Sequence, residues 1–373
     1  MVSPVYLPDA AVPTLVEQIR QLPRSENEIV LLLVGEHSTF DLNELIAALN
    51  QHHVSFAGGV FTGVIFGNQR YEAGVVADVL PIAAQPSLYH GLDTTSFQIE
   101  SVPDLSHDHQ YTALVLVDGL TSHIALFLER LFRQLHNQVH YIGGGAGSLS
   151  FQQKPCLFDN QGVYQDAALV LWLQTTSSLG VRHGWQHLRG PLIATKTDGT
   201  IIQRLNGRPA FELYSQIIER KTGETLTKEN FFSIAKQYPL GIFHHGMDYI
   251  VRDPITFTDD KEIVCVGEVP KGSMVYILQG NKQNLVSHAR QATSEAMNDV
   301  ANSHHNLIFD CISRVLYLED DFSQELDAVR MSLPDQAPAP FGVLSLGEIA
   351  SFETGRVEFF NKTFVVGALQ NIP

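Results

Sequence analysis

The 373 residues predict a two-domain α/β protein with mixed β-sheets, helices on their outer faces, and related strand-helix-hairpin repeats as the building unit. Three observations carry that prediction. Residues 29–34 (IVLLLV) and 113–117 (ALVLV) are apolar runs with the length of buried strands. Each is followed by a helical stripe: Leu42, Leu45, Ile46 and Leu49 fall at i, i+3, i+4 and i+7, and Ile124, Phe127, Leu128, Leu131, Phe132 and Leu135 repeat the pattern. Each helix then leads into an apolar stretch that meets a knot of glycines, turns, and ends apolar again, at residues 54–82 and 139–173. Residues 341–369 (FGVLSLGEIASFETGRVEFFNKTFVVGAL) supply a third copy of that last part.

In chain order, Pro4, Pro8, Pro13 and Pro23 bracket a short helix expected over 14–22. Repeat one ends near Ile82. Residues 83–110, with Pro86 and Pro103, read as an irregular crossing holding one strand at 96–102. Repeat two runs from Tyr111 to about Gln174, and the stretch 175–190 is polar and glycine-broken. A strand over 192–198 turns at Asp198-Gly199 into another over 200–205. Asn206-Gly207 is the expected seam between a domain of residues 1–206, with two repeats, and a domain of residues 207–373. Past it we expect a helix over 209–220 that begins on a proline, a short helix over 228–237, and two strands about a turn within 241–257. A strand pair at 263–269 and 274–278, a long helix over 281–301 and a buried strand across 307–317 follow. A helix over 322–331 and the connector PDQAPAP lead back to the hairpin at 341–369. Strand 307–310, helix, connector and hairpin make the third repeat.

Composition narrows the function. No stretch reaches the roughly 18 apolar residues of a membrane span, and the first residues lack a basic flank before a long apolar run, so a cytoplasmic protein is expected. The three cysteines, Cys156, Cys265 and Cys311, have no CxxC spacing and speak against a disulfide framework. A net charge of -16 without a Lys/Arg cluster argues against nucleic acid. GxSxG and HExxH are absent, and GGGAGS at 143–148 lacks the Lys-Ser/Thr of a phosphate loop and the GxGxxG of a dinucleotide site. An enzyme is not expected.

Receptor groups stand out instead. Arg252, Arg314 and Glu348 sit within apolar segments, and arginine is seldom buried unless paired. Two guanidiniums for a ligand carboxylate and one carboxylate for its ammonium would receive a small zwitterion; the alternative is an internal ion-pair network. The knots Gly58-Gly59 and Gly143-Gly144-Gly145 either let backbone approach a ligand or serve close packing. Cys311 reads as a small core residue, with no histidine placed by local sequence to activate it. Among sixteen histidines, the pair His244-His245, and second His183 with His187 at helical spacing, are candidate haem ligands; the plainer reading puts most histidines on polar surface.

The order of GGGAGSLSFQQKPCLFDNQGVYQDAALVLWL, LNGRPAFELY, YPLGIFHHGMDYIVRDP, GEVPKGSMVYIL, LIFDCISR and LSLGEIASFETGRVEFFNKTFVV resembles the FIST family from about Ile29 to Leu369, as an N-terminal and a C-terminal FIST domain. The resemblance implies an intracellular sensory module that binds a small ligand such as an amino acid and acts on a separate signalling partner. It also implies an alternative, a haem b protein that senses nitric oxide and regulates a histidine kinase, a diguanylate cyclase or a phosphodiesterase. The family's C-terminal motif positions fall on Cys311, Arg314, Gly347, Glu348, Asn361 and Thr363. Phe360 stands where many members have a histidine before the asparagine, so no imidazole role carries over there.

Overall fold

A computed structural model describes residues 3–372 apart from 101, 107, 245–246, 299, 301–302 and 352–355, with the side chains of 247 and 248 also left undescribed. After β1 (Val5–Leu7) and α1 (Val12–Arg20), the first repeat comprises β2 (Glu28–Gly35), α2 (Leu42–Gln51), β3 (Phe56–Phe61), the hairpin β4 (Gly63–Phe66) and β5 (Gln69–Tyr71), and β6 (Val75–His90). The second comprises β7 (Tyr111–Asp118), α3 (Ile124–Leu135), β8 (Val139–Ala146), the hairpin β9 (Leu157–Asp159) and β10 (Gly162–Tyr164), and β11 (Ala167–Leu173), prolonged by β12 (Thr175–Arg182). A separate unit follows: β13 (Gln186–Asp198), β14 (Ile201–Leu205), β15 (Arg208–Pro209), α4 (Ala210–Thr222), α5 (Phe231–Ala235), β16 (Leu240–His244), β17 (Met247–Phe257), β18 (Ile263–Val266) and β19 (Met274–Gln279). Then α6 (Lys282–Asn298) leads into the third repeat: β20 (His305–Cys311), α7 (Ile312–Leu318), α8 (Phe322–Ser332), β21 (Phe341–Ser345), the pair β22 (Glu348–Ser351) and β23 (Val357–Phe360), and β24 (Phe364–Asn371).

The three repeats share one pairing rule. The first strand of each lies parallel to the strand after its helix and antiparallel to its last strand: β2 with β3 and β6, β7 with β8 and β11, β20 with β21 and β24. Each hairpin leaves home. β4 pairs with β21 of repeat three, β9 with β3 of repeat one, and β22 with β8 of repeat two, a cyclic exchange in which every repeat completes another's sheet. The inner faces meet in one core holding Leu31, Leu33, Leu114, Leu116, Leu307 and Phe309. The outer faces are covered by α1 and α2, by α3, and by α6, α7 and α8. With both faces buried, the central strands read as continuous apolar runs without polar alternation.

The glycine knots serve this packing. A Cβ on Gly58 would lie 1.9 Å from the Leu32 carbonyl oxygen, and one on Gly143 would lie 1.8 Å from that of Val115. Gly145 exchanges hydrogen bonds with the third repeat, its N–H to the Gly347 carbonyl at 2.8 Å and its carbonyl to the Leu346 N–H at 2.9 Å.

Several elements differ from expectation. Among the described residues of 96–102 none lies in a strand. Instead β6 runs on through Pro81 and Pro86, because Pro81 is its last partner to β2 and Ile82 its first to β11, and a proline is tolerated where ladder partners change. The polar, glycine-broken stretch 175–190 forms β12 and the start of β13; a Cβ on Gly180 would meet the Ala292 carbonyl oxygen at 1.8 Å, so glycine here lets α6 lie on the strand. The expected strand across 307–317 stops at Cys311 and becomes α7, which puts Arg314 on a helix. Helix 228–237 shortens to α5. Strands β18 and β19 do not pair with each other: β18 joins β14 and β17, and β19 joins β13 and β16. Since β13 also pairs with β14, six of these strands close into a barrel around Leu192, Ala194, Ile202, Val275 and Ile277. Asn206 and Gly207, both at positive φ, form the turn between β14 and β15 within this barrel.

Candidate functional site

The barrel sits against the carboxyl ends of the parallel strands β7, β20 and β21, the end where open α/β sheets place ligands. Between the two bodies lies a cavity of 240 Å³. Its barrel wall includes Asp253 and Ile255 of β17 and Cys265 of β18; its other wall includes Gly119–Thr121 after β7, Cys311–Ser313 after β20, Leu346, Gly347 and Asn361. Phe151, Phe232, Val264 and Ile312 make most of the rest apolar.

Two polar atoms in this lining have no donor among the described residues: Asp253 Oδ1 and Asn361 Oδ1, on residues that are each 1% exposed. The other oxygen of Asp253 is engaged. It accepts from the Ser313 hydroxyl at 2.6 Å and faces Lys362 Nζ at 3.2 Å. Lys362, fully buried at φ +53, also donates to the Lys236 carbonyl at 3.1 Å and lies over the Trp185 ring, so one turn of the third repeat clamps the barrel. Burial without hydrogen bonding costs a polar group about 1–3 kcal/mol, so two such acceptors facing one cavity need an account.

The residues expected at the site separate into layers. Cys311, Gly347 and Asn361 line the cavity. Gly347 has φ +107, and a Cβ there would lie 2.2 Å from the Phe359 ring, so only glycine fits. Glu348 and Thr363 stand behind it: Glu348 accepts from the Ser345 hydroxyl at 2.8 Å and the Thr363 N–H at 3.2 Å, while the Thr363 hydroxyl donates to the Asn361 carbonyl at 2.9 Å. Burial pushes the Glu348 carboxyl up to about 8, against the pull of those hydrogen bonds and that of Cys311. Burial, with Glu348 beside it, also raises Cys311 well above an ordinary thiol. Gly144 is the register partner of Glu348, which brings the second glycine knot beside this layer, whereas Gly58 and Gly59 pack against β2 and β9.

Arg314 is elsewhere. It lies in a buried network with Glu325, which accepts from Nε at 3.3 Å and pairs with Nη2, and with Asp310 at 3.1 Å. Nη1 donates to the His183 carbonyl at 2.7 Å and Nη2 to that of Leu285 at 3.2 Å. Burial and the neighbouring Glu325 push Asp310 well above the usual carboxylate range. The internal-network alternative therefore describes Arg314, and the receptor of two guanidiniums does not assemble. Arg252 borders a second, outer cleft of 380 Å³ that shares Gly119–Thr121, Thr200, Val266 and Gly267 with the cavity.

The histidines do not converge on the cavity. His183 follows β12 and His187 lies on β13, so their spacing is not helical. Burial, then His288 and Arg314, push His183 down to about 3, and its Nδ1 accepts from the Trp185 N–H at 2.9 Å. His187 is exposed, edge-on to Tyr276. His244 stands 3.9 Å from the Glu358 carboxylate, and His245 lies outside the described residues. Neither His183, His187 nor His244 is among the described residues that line the cavity, and those residues include no histidine. Among the described residues no group of three or more His, Cys, Asp or Glu could hold a metal ion.

Asp253, Ser313, Lys362 and Gly267 escaped sequence reasoning. The signal for Asp253 was present: a carboxylate directly after Arg252 in an apolar segment. Lys362 had none, since a lysine in an Asn-Lys-Thr turn reads as exposed.

No helix among the described residues is long and apolar enough to cross a membrane. Among curated proteins none matches the chain. The FIST N domain matches residues 28–208 and the FIST C domain residues 210–351, so their common boundary falls inside the barrel, just after the Asn206-Gly207 turn. With these two domains spanning most of its length, the chain belongs to the FIST family, whose domains are associated with sensory signal-transduction proteins that bind small ligands.

Proposed function

We propose that this chain is a sensor whose ligand, an amino acid or a metabolite with similar groups, seats between the barrel and the three-sheet body and alters the engagement of a separate signalling protein, a histidine kinase or a cyclic-di-GMP enzyme. The observation that carries the reading is the pair of donor-less acceptors, Asp253 Oδ1 and Asn361 Oδ1, on opposite walls of one cavity. An ammonium, amide or hydroxyl placed between them would satisfy both. The cavity volume of 240 Å³ suits a ligand smaller than the occupants of typical 300–1,000 Å³ drug-sized pockets. A ligand touching both bodies can shift a partner only through its differential affinity for their open and closed arrangements.

Thermal-shift screening over amino acids and short amines tests this. A ligand at about a hundred times its Kd should stabilise the native chain by about 2.7 kcal/mol. Asn361→Leu, of similar volume, is expected to abolish that shift while leaving the unliganded protein equally or more stable by up to about 1 kcal/mol, because a buried acceptor without a donor is removed. A flat screen, or a variant that keeps the full shift, would sink the reading.

A further inference from the structure

The outer cleft holds a buried cation with no carboxylate of a described residue in contact, although the charges of Glu358 and Glu268 act on it from further off. Arg252 is 6% exposed, and all its hydrogen bonds go to main-chain carbonyls: Nε to Glu268 at 2.8 Å, and Nη1 to Val251 and Phe359, both at 3.1 Å. No carboxylate of a described residue comes within ion-pair distance, and Nη2 makes no hydrogen bond to any described residue. Carbonyl dipoles orient the guanidinium and the more distant carboxylates offset part of its charge, but buried charges are ordinarily paired in contact, and Nη2 has no such partner among the described residues. Arginine does not escape by losing its proton, so the charge stays and Nη2 is left to bond a group from outside the chain.

The same cleft is bordered by the start of α3. Ser122, His123, Ile124 and Ala125 line it, and the capping residue His123 offers no side-chain bond to the first turn. The first intrahelical bond runs from the Phe127 N–H to the His123 carbonyl, which leaves the amides of residues 124–126 open, whereas the His123 N–H is taken by the Leu92 carbonyl at 3.1 Å. Open amides at a twelve-residue helix's positive end and a guanidinium whose Nη2 is unbonded among the described residues converge on one space.

We propose that the outer cleft is an oxyanion site, taking a carboxylate or phosphate group on Arg252 Nη2 and the first-turn amides of α3. It rests on the preceding reading only where the anion is the acidic end of the ligand whose donor group sits in the cavity. The two spaces adjoin at Gly267, at φ +81, where a Cβ would stand 3.0 Å from both Arg252 Nε and Asn361 Oδ1. Glycine therefore keeps the passage between the anion subsite and the donor subsite open. Asp198 and Glu268 also border the cleft, and their charge disfavours a dianion, so a monocarboxylate is expected to bind more tightly than phosphate.

Calorimetric titration of the full chain with sodium acetate and with inorganic phosphate, at ionic strength matched with chloride, tests the site. Saturable binding of at least one anion is expected. Arg252→Gln should weaken it by about ten- to a hundredfold, the range for losing a charge-assisted bond. Ala125→Pro removes an amide at an exposed first-turn position, where proline is tolerated, and should weaken it by about two- to fivefold with an unchanged melting temperature in chloride. That second variant carries the test if Arg252→Gln does not fold. Acetate favoured over phosphate assigns a carboxylate, and the reverse order a phosphate group. No saturable binding of either anion, or binding indifferent to Ala125→Pro, overturns the proposal. Anion binding in a protein that ignores all amines would leave this site standing and remove the amino-ligand reading; amine binding without anion binding does the opposite.

Discussion

Arg314→Ala is expected to cost about 3–5 kcal/mol of folding stability, a large part of the roughly 5–15 kcal/mol that holds a typical domain together. Arg314 is fully buried, and removing it strands the Glu325 carboxylate in apolar surroundings and frees the carbonyls of His183 and Leu285. Those bonds tie α6, α7 and α8 to the segment that enters the barrel. Urea denaturation should show the loss as a lower midpoint at unchanged slope. The triple variant Asp310→Leu, Arg314→Met, Glu325→Leu should recover most of the stability, since replacing a whole buried ionic cluster by apolar groups is often neutral. None of the three residues lines the cavity, so the triple variant should bind ligand as the parent does. A single variant tolerated to within about 1 kcal/mol would contradict the network described here.

The second large effect is a pH dependence set by Glu348. Burial raises its folded pKa to about 8, above the ordinary carboxyl value of 4.5 that it recovers on unfolding. Between those values the folded chain holds a proton that the unfolded chain has released. The stabilisation is complete below about 4.5 and is lost as pH rises through about 8. At 1.36 kcal/mol per unit the whole span is on the order of 4–5 kcal/mol. Glu348→Gln keeps the shape and the acceptor for the Thr363 N–H but cannot ionise. The variant should match the parent near pH 5 and exceed it near pH 8. Asp310 adds a slope of the same sign, so the informative quantity is the difference between the two proteins at each pH. Parallel curves would mean that Glu348 is ionised throughout.

Much of the fold was legible because its central strands are buried on both faces and its helices on one. The runs at 29–34 and 113–117 and the stripe from Ile124 to Leu135 appear as β2, β7 and α3 with bounds shifted by no more than a residue or two. Strands with mixed neighbours were harder. β12 has the sequence TTSSLGVR because β24 holds its backbone while its own Ser177 hydroxyl accepts from the Thr112 hydroxyl of β7, and no local apolar pattern announces it. Arg314 illustrates the limit at the site. A buried arginine is visible in an apolar context, but its partner Glu325 lies on the next helix, and only packing decides whether the charge faces a ligand or another side chain. Asn361 was legible through the family motif, and its role in the cavity emerges only from the barrel wall opposite.

The cyclic exchange of hairpins has a consequence for synthesis on the ribosome. Strand β8, residues Val139–Ala146, is made early, yet the segment that covers its outer edge, Glu348–Ala350, is some two hundred residues downstream. Until that segment emerges, a glycine-rich edge with unpaired amides and carbonyls stays open to any passing strand. Repeat two cannot finish on its own, and the same holds for β21, whose neighbour β4 waits from the first repeat for a partner made last. Vectorial folding one repeat at a time is therefore closed to this chain. Nascent chains stalled before residue 348 should stay protease-sensitive in repeat two and bind strand-capturing chaperones, and a single cooperative gain of protection should follow once the final hairpin is released.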